Sequence, residues 1–398
     1  MNVTVFTLGR FHHFDLGRQI VRLEHGLSLL TSNPRSKVDA DLRPFAKTHS
    51  RFRIPYAIGC RLGLGSRLYW LDELLLKDLA KWAELSVDLQ WTDVFHAQEG
   101  TGPRAGRLAK ENGKVWICDR GSTHICAQKK ALIEEHTLWR VPPPRFSADR
   151  LERCVAEYHE AHAITVPSRF VKRSFLENGI ADEKVFVCPY GVDLSEFRPG
   201  VKMDAKFRVI YVGQITVRKG IGYLLQAVEP LVKKGQVELW LVGEIDPEVQ
   251  PILDRYKSVF EYKGVCPRNE LWRLYSQASV LVLASVEEGL ALVQAQAMAC
   301  GVPVIATTNT GAEDLFTDGV EGFIVPIRSP GAIRERLEWM IENGELRDEM
   351  AAAALRRVKS LGGWNHYGEC VESAYRELSV RHDVRLHSGG RSSRAGAV

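Results

Sequence analysis

The chain has 398 residues, 45% of them apolar and 26% charged, and a net charge of +4. A single hydrophobic core stops growing at about 250–300 residues, so this length predicts two domains. The composition is that of an ordinary soluble globular protein. No apolar run reaches the roughly 18 residues that cross a bilayer, and the first residues lack the pattern of a signal peptide. We therefore expect a cytoplasmic protein, and we expect its eight scattered cysteines to be reduced.

Basic and aromatic residues are concentrated between Arg43 and Trp70, a segment that contains no Asp or Glu. Such a segment can lie on an anionic membrane surface, where each basic residue adds about 1 kcal/mol. The alternative is a solvated loop and helix face of a basic protein. No recognised nucleic-acid module accompanies the segment, so no nucleic-acid partner is expected.

In the first half of the chain, short apolar runs alternate with amphipathic stretches. This alternation predicts a parallel sheet covered by helices, the arrangement of a Rossmann-like domain, which binds ligands beyond the carboxyl ends of its strands. The first strand is followed by a predicted loop, Gly9–Gly17, and then by a helix. The predicted strands are Val3–Leu8, Val94–His96, Val115–Cys118 and Ala163–Val166, and the predicted helices include Arg104–Asn112 and Arg150–Ala161.

The same alternation restarts after Pro199-Gly200, which we interpret as a linker between two domains, residues 1–200 and 201–361. The final segment is mainly helical, and residues 381–398 are rich in Gly, Ser and Arg, which predicts a disordered tail. Strands are predicted at Phe207–Val212, Val237–Val242, Val280–Ala284 and Val302–Ala306, and helices at Gly220–Lys233, Asn269–Ser276 and Leu292–Cys300.

The most informative segment runs from Ser285 to Ala306 and reads as a strand end, an acidic glycine turn, a helix and the next strand. Gly301 suits the left-handed position just past a helix end. The turn at Glu288-Gly289 then faces the ligand edge of the sheet, where free amides at the start of the helix can hold a phosphate. Glu288 can accept hydrogen bonds from sugar hydroxyls.

A second segment places the adjacent cations Arg218 and Lys219 between a strand and a helix, after the glycine turn at Gly213. Cations at this place complement a diphosphate. Taken alone, the pair could be an exposed surface feature, but its position at the same sheet edge as Glu288 favours a shared site.

Together these segments resemble the retaining nucleotide-sugar glycosyltransferases of family 4. Their fold, GT-B, places two Rossmann-like α/β domains face to face across a cleft, and in them a helix, here at about residues 362–380, returns to the first domain. The resemblance rests on Gly213, Arg218-Lys219-Gly220, Glu288-Gly289-Leu290, Ala297–Val304, Gly311–Asp314, Val166-Pro167-Ser168 and Pro189–Asp193.

The resemblance implies that the carboxyl-terminal domain binds the donor, with Arg218 and Lys219 on the diphosphate and Glu288 on the sugar. The family has a second acid, which bonds the ribose hydroxyls, at the position of Gln296; a neutral amide accepts such a bond without charge assistance. The implied donor-binding residues are Gly17, Gly213, Arg218, Lys219, Glu288, Gly289, Leu290, Ala291, Leu292 and Gln296.

In the first domain, His124 follows the Val115–Cys118 strand and resembles a family histidine that faces the donor sugar or the acceptor. The alternative for any lone histidine is a structural role. The implied catalytic residues are thus His124, Glu288 and Lys219, while His12, His13 and His96 occupy similar loop positions with a weaker case. The Phe14–Gly17 turn resembles the family loop whose backbone approaches the diphosphate.

We predict no metal site and no cofactor, since the nucleotide sugar is a substrate. Asp39-Ala40-Asp41 has the DxD form of metal-dependent glycosyltransferases of another fold, but it lies in a polar loop without a supporting strand.

The resemblance implies transfer of a hexose-type sugar from a nucleotide-diphosphate sugar to a glycan or lipid-linked acceptor hydroxyl, with retained configuration, in cell-surface polysaccharide or glycolipid synthesis. Contact with an anionic membrane through Arg43–Trp70 would fit this role. Two alternatives stay open: a noncatalytic nucleotide-sugar-binding protein, motivated by Gln296, and a GT-B nucleotide-sugar epimerase.

Overall fold

The computed structural model describes residues 1–51 and 69–391. Thirteen strands in these two ranges form two parallel sheets, each covered by helices. The strands are β1 (Asn2–Thr7), β2 (Gly26–Thr31), β3 (Ala46–Thr48), β4 (Val94–Gln98), β5 (Val115–Asp119), β6 (Ala163–Val166), β7 (Val185–Val187), β8 (Arg208–Val212), β9 (Glu238–Val242), β10 (Glu261–Gly264), β11 (Val280–Leu283), β12 (Val304–Thr307) and β13 (Gly322–Val325).

Helices connect the strands and cover the sheets. They are α1 (His12–Arg22), α2 (Tyr69–Ser86), α3 (Pro103–Glu111), α4 (Ile125–Trp139), α5 (Ala148–Glu160), α6 (Arg169–Leu176), α7 (Ile221–Lys233), α8 (Gln250–Arg255), α9 (Leu271–Tyr275), α10 (Leu292–Ala299), α11 (Ala312–Leu315), α12 (Pro330–Glu342), α13 (Gly344–Ser360) and α14 (Gly363–Arg391).

The first sheet has the strand order β3-β2-β1-β4-β5-β6-β7, and the second has the order β10-β9-β8-β11-β12-β13. In both, the chain starts near the middle of the sheet and reverses direction across it, which leaves a crevice at the carboxyl ends of the strands. The predicted α/β fold with two Rossmann-like domains is confirmed.

The strand β1 shows why the sequences of the central strands are almost continuously apolar. Val3 and Val5 point into a core shared with α1 and α14, whereas Phe6 points into a core shared with α2 and α3. All three side chains are fully buried, because helices cover both faces of a parallel sheet.

Every strand predicted from the sequence is present, with ends that differ by one or two residues. The sequence reading missed β2, β3, β7, β10 and β13. Four of these lie at sheet edges. The strands β3 (AKT) and β10 (EYKG) contain charged residues, whereas β7 (VFV) and β13 (GFIV) are short apolar runs that the sequence prediction overlooked.

The predicted loop Gly9–Gly17 is wrong in its second half, since α1 already begins at His12. Buried Phe14 and Leu16 sit on the core-facing side of this helix. The turn predicted at Phe14–Gly17 is therefore helical, and the loop after β1 is shorter.

The last helix, α14, packs against α1 and β5 of the first domain. The Tyr375 hydroxyl lies 2.8 Å from Nδ1 of His96, and His25, between α1 and β2, pairs with Glu372 at 2.9 Å. The helix continues to Arg391, whereas the sequence predicts disorder from residue 381; pairs of opposite charge four residues apart, such as Glu377 with Arg381, favour this helix. Residues 392–398 lie outside the described ranges.

The two domains touch on both sides of the cleft. The Ser168 hydroxyl donates to the carbonyl of Gly289 at 2.7 Å, and the Arg169 side chain pairs with Asp314 at 2.8 Å. On the other side, the Trp139 ring meets Tyr223 edge-on at 5.2 Å. The structure is thus that of a closed pair of domains.

Among the helices of the described ranges, none has the length and apolarity to span a bilayer. Residues 52–68 of the basic segment Arg43–Trp70 lie outside those ranges, so the membrane contact stays a prediction.

Candidate active site

A cleft of ≈ 580 Å³ lies between the carboxyl ends of the two sheets. This volume is within the range of small-molecule sites, about 300–1,000 Å³. A second cavity of equal volume lies beside the linker, lined by residues such as Tyr190, Arg357 and His366, and contains no predicted donor-binding residue. We therefore build the site from the two walls of the cleft, one from each domain.

The carboxyl-terminal wall carries the two predicted cations. Arg218 and Lys219 lie in the loop between β8 and α7, and both line the cleft. The ammonium of Lys219 contacts the Glu288 carboxylate, and the Arg218 guanidinium lies 3.7 Å from it. Burial lowers the pKa of Lys219 well below its usual value, Arg218 adds to this, and Glu287 opposes it. An anionic ligand here would meet Arg218 and Lys219, which in this structure lie beside the carboxylates of Glu287 and Glu288.

The start of α10 forms the rest of this wall, with Leu290, Ala291 and Leu292 facing the cleft. Its first amides have no partner within the helix and can bind an anion. The turn before it needs glycine, because a Cβ at Gly289 would lie 1.8 Å from the carbonyl oxygen of Gly121 in the other domain. The helix ends at Ala299, and Gly301, just beyond its cap, has φ 73°, the predicted left-handed conformation.

The amino-terminal wall carries a cluster of two histidines and an aspartate. His12 and His13 begin α1, and Asp119 ends β5. Nε2 of His12 lies 2.5 Å from Oδ2 of Asp119, and Nε2 of His13 lies 2.7 Å from the same oxygen. All three residues line the cleft.

The charges in this cluster follow from burial and from close contact. Burial alone would raise the pKa of Asp119, but His12 and His13 outweigh burial and hold it well below its usual value. Burial lowers the pKa of His13, with His12 adding to this effect against the pull of Asp119. Asp119 is therefore a carboxylate, and His13 is a neutral imidazole.

Glu287 joins the two walls and was missed in the sequence. Its buried carboxylate accepts hydrogen bonds from the Thr123 amide at 3.0 Å, the Thr123 hydroxyl at 2.8 Å and the Gln128 amide at 3.1 Å, all in the first domain. Its Oε2 also lies 3.4 Å from Arg218. Burial opposes ionisation, yet Arg218 and these donors bring the pKa of Glu287 below its usual value.

His124 is not brought to the cleft with the other predicted catalytic residues. It caps the start of α4, where Nδ1 accepts from the amide of Cys126, and its ring packs against Tyr158 and Phe175. The residue is only 3% exposed, and burial, followed by the charge of Arg120, lowers its pKa to about 4. This geometry supports a structural role rather than contact with a substrate.

Three further predicted residues also lie away from the cleft. Gly17 is inside α1, where an added Cβ would meet the side chains of Leu27 and Leu42 at 3.3 and 3.4 Å. Gln296 is buried, and its carbonyl oxygen accepts from the Tyr275 hydroxyl at 3.2 Å. His96 is fully buried beside Tyr375. By contrast, Gly213 and Glu288 do line the cleft.

The sequence contained weak signals for His12 and Asp119, which line the cleft where His124 does not. Asp119 directly follows an apolar strand run, and His12 follows another, so both occupy positions where ligands bind in parallel sheets. Glu287 gave no separate signal, since it stands next to the more recognisable Glu288 in the chain.

Two groups of residues have the composition of a metal site. The ligand atoms of His12, His13 and Asp119 lie within 4.8 Å of one another. The His12 contact with Asp119 is a direct hydrogen bond, and both separations, 2.5 and 2.7 Å, are shorter than the spacing between two ligands around a zinc-sized ion, about 3.3 Å for bonds near 2.0 Å. In the DxD segment, Asp39 and Asp41 both accept from the Arg18 guanidinium. We assign a cation to neither group.

Comparisons with known proteins agree with this architecture. Residues 11–196 match the family described as Glycosyltransferase Family 4, and residues 206–343 match Glycosyl transferases group 1. A D-inositol 3-phosphate glycosyltransferase of Xylanimonas cellulosilytica is 27% identical over 319 residues, which are 74% of this chain and 74% of that protein.

Solved structures share the fold at low sequence identity. The sucrose-phosphate synthase of Thermosynechococcus elongatus superimposes with a TM-score of 0.73 at 20% identity, covering 96% of this chain and 100% of that one. HepE of Anabaena, in complex with UDP and glucose, gives a TM-score of 0.67 at 16% identity over 95% and 100% of the two chains.

The facing parallel sheets and the cleft between them define a GT-B glycosyltransferase. The chain belongs to glycosyltransferase family 4, and it is a transferase enzyme.

Proposed function

We propose that the protein transfers a hexose-type sugar from a nucleotide-diphosphate sugar to an acceptor hydroxyl, with retention of the anomeric configuration. The observation that carries the proposal is the meeting of Arg218, Lys219 and the free amides of α10 around Glu288 in one cleft. This arrangement suits a ligand with an anionic part and a hydroxyl-rich part. The UDP and glucose bound by HepE have these two chemistries.

In the proposed reaction, the diphosphate takes the place of the Glu288 carboxylate beside Lys219 and Arg218. Negative charge then grows on the leaving phosphate oxygen as the bond to the sugar breaks. Groups fixed in advance around a developing charge stabilise it strongly, since they need not reorganise during the reaction. Glu288, released from Lys219, accepts hydrogen bonds from the sugar hydroxyls.

The acceptor would lie against the amino-terminal wall. Arg10, Arg18 and Arg150 line this part of the cleft, although Arg18 is already paired with Asp15, Asp39 and Asp41. A phosphorylated acceptor would fit these charges, as would a lipid-linked diphosphate glycan. The name of the Xylanimonas relative specifies a D-inositol 3-phosphate acceptor, which makes this compound one member of the test panel.

The test is a thermal-shift screen of nucleotide-diphosphate sugars with purified protein, because a ligand that binds the native state raises its stability. We expect one donor to raise the melting temperature by several degrees, and we expect that donor to be consumed only with an acceptor present. Proton NMR of the product reports the anomeric configuration.

Other outcomes separate the alternatives. Binding without turnover across the acceptor panel would favour a noncatalytic binding protein, and conversion of the donor alone would favour an epimerase. A product of inverted configuration would contradict the proposed retention.

A further inference from the structure

One contact between the two domains lies outside the cleft and involves His136, near the end of α4. Its Nε2 lies 3.0 Å from Oε2 of Glu248, which follows β9 in the second domain. Its Nδ1 lies 2.7 Å from the carbonyl oxygen of Leu132, one turn earlier in α4. The ring is 3% exposed, and these two contacts use both of its nitrogens. His136 thus joins the first domain to the loop after β9.

The second oxygen of Glu248 bonds the donor wall. Its Oε1 accepts from the Val217 amide at 3.0 Å. Val217 is buried and directly precedes Arg218 and Lys219 in the chain. The Glu248 carboxylate therefore bridges His136 of the first domain and the backbone that carries the two cations of the second.

The backbone around Glu248 is fixed. Asp246 caps a short 3₁₀ turn, Pro247–Val249, by accepting from the Glu248 amide at 3.1 Å. Two further hydrogen bonds tie this loop to the chain after β8: the Ile215 amide donates to the Glu244 carbonyl at 2.8 Å, and the Asp246 amide donates to the Ile215 carbonyl at 3.0 Å. The loops after β8 and β9 thus pack as one unit, and the Glu248 side chain connects this unit to the first domain.

The bond to Val217 bears on where the two positive charges lie. Arg218 and Lys219 belong to the loop, since α7 begins only at Ile221. A hydrogen bond to a carboxylate is roughly twice as strong as a neutral one, so Glu248 is a strong anchor for this loop. Groups that stabilise a developing charge depend on their position, and a misplacement of about 1 Å can cost about 10²-fold in rate.

We propose that Glu248 and His136 are positioning residues for the donor. Closure of the domains places His136 on Glu248, and Glu248 holds the Val217 amide so that Arg218 and Lys219 face the diphosphate. The inference rests on the proposed transfer from a nucleotide-diphosphate sugar. Neither Glu248 nor His136 lines the cleft, so neither is a catalytic residue.

Two substitutions of Glu248 test the bond to Val217. Glu248→Ala removes both acceptor oxygens. Glu248→Gln keeps an oxygen for the Val217 amide and offers an N–H to Nε2 of His136. We expect Glu248→Ala to raise the UDP Kd and the donor KM by about 10-fold, and Glu248→Gln to stay within about 3-fold of wild type. The acceptor KM should stay within about 2-fold of wild type in both, because the loop faces the donor.

His136→Phe tests the link between the domains, since it keeps a ring but removes both nitrogens. Glu248 then retains Val217 but loses the partner of Oε2, so we expect the UDP Kd to rise by about 3-fold. In the double variant with Glu248→Ala, the Kd should equal that of Glu248→Ala alone, because both residues act through the same bond. Isothermal titration calorimetry measures the Kd, with UDP or with the nucleoside diphosphate of the donor that the screen finds.

A matched control breaks a different contact between α4 and the second domain. Arg328 pairs with Glu134 at 2.9 Å and with Glu135 at 2.7 Å, both on α4. Arg328 has φ 58°, so the replacement is asparagine, which adopts the left-handed conformation more readily than most residues. Arg328→Asn should lower the melting temperature but leave the UDP Kd within about 2-fold of wild type, since this contact shares no residue with the pair of His136 and Glu248.

Three results would overturn the inference. They are a UDP Kd within about 2-fold of wild type in folded Glu248→Ala, a rise of equal size in Arg328→Asn, and a Glu248→Gln variant as impaired as Glu248→Ala. Thermal melts check folding; if Glu248→Ala does not fold, an unchanged Kd in His136→Phe rejects the inference and the expected rise supports it. In each case the wild type still transfers sugar and the proposed function stands. A wild type that transfers no sugar from any screened donor would instead contradict the proposed function, and the inference with it.

Discussion

The two walls of the cleft are built in different ways. The carboxyl-terminal wall comes from two short segments, Arg218-Lys219 and Glu288–Leu292, each of which carries its function in adjacent residues. The amino-terminal wall is assembled from His12, Asp119 and Tyr190, with 107 residues between the first two and 178 between His12 and Tyr190. The first wall places two adjacent cations beside Glu288, and the second combines arginines with a carboxylate and imidazoles.

This difference agrees with the proposal that one wall binds the donor and the other the acceptor. The cations suit a ligand that arrives with negative charge and leaves with more, and the proposed role of this wall is donor binding. The amino-terminal wall, with its arginines, is the proposed place of the acceptor. Glu287 connects the two walls, since its carboxylate contacts Arg218 in the second domain and accepts from the Thr123 amide in the first.

The largest expected effect is the loss of stability in Glu287→Ala, which removes the carboxylate that connects the two walls. The change leaves the Thr123 amide and Gln128 without their acceptor and leaves Arg218 with Glu288 as its remaining acid. Loss of one partner of a buried charge pair lowers stability by about 3–5 kcal/mol. We expect a melting temperature lowered by many degrees, measured by calorimetry. Glu321→Ala, at a carboxylate that accepts from the Thr317 amide within the second domain, is the control and should have a much smaller effect. Equal losses in both variants would show that Glu287 does not join the walls.

Lys219→Ala tests the charge of the donor wall. Removal of one preorganised group that stabilises a developing charge lowers kcat by about 10²- to 10³-fold. Steady-state kinetics with the donor identified by thermal shift would measure it. Lys233→Ala removes an exposed lysine of α7 that pairs with Glu229 one turn earlier, and its kcat should match wild type. Normal turnover by folded Lys219→Ala would contradict the proposal that Lys219 stabilises the leaving group.

His124→Asn tests whether this histidine is structural. Its pKa is about 4 in the folded protein and 6.5 for the free side chain, so as the pH falls from 6.5 towards 4 the unfolded chain gains a proton that the folded one excludes. Stability is therefore full above pH 6.5 and should be lower by about 2 kcal/mol at pH 5.

Asparagine retains an oxygen that can cap α4, so the variant should show a weaker loss of stability between pH 7.5 and pH 5, measured by urea unfolding. Its kcat at pH 7.5 should stay within a few fold of wild type. A loss of kcat of about 10²-fold or more in the folded variant would restore His124 as a catalytic residue.

The smallest catalytic effect is expected from Gln296→Leu. This residue accepts from Tyr275 in the interior and does not line the cleft, so the donor KM should change by less than about 2-fold. The unpaired Tyr275 hydroxyl should lower stability by roughly 1–3 kcal/mol. A large rise in donor KM without a change in melting temperature would place Gln296 on the ribose after all.

Much of the fold followed from local patterns. The runs of β1, β4, β5 and β6 and their counterparts in the second domain are continuous because both faces of each central strand are buried. The edge strands β3 and β10 lack that signal because they contain charged residues, while the short apolar runs of β7 and β13 were overlooked. The start of α1 was also misplaced, since the two histidines that begin it resemble loop residues.

The sequence by itself determined the α/β fold, the family and the residues of the carboxyl-terminal wall, because these depend on residues close together in the chain: a strand, a turn and the start of a helix. Only the tertiary structure decided which histidine reaches the cleft. His12 and His124 both follow strands of the same sheet, yet one ring stacks at the surface beside Asp119 and the other is buried under α4. That outcome depends on packing between elements far apart in the chain, about which local spacing carries no information.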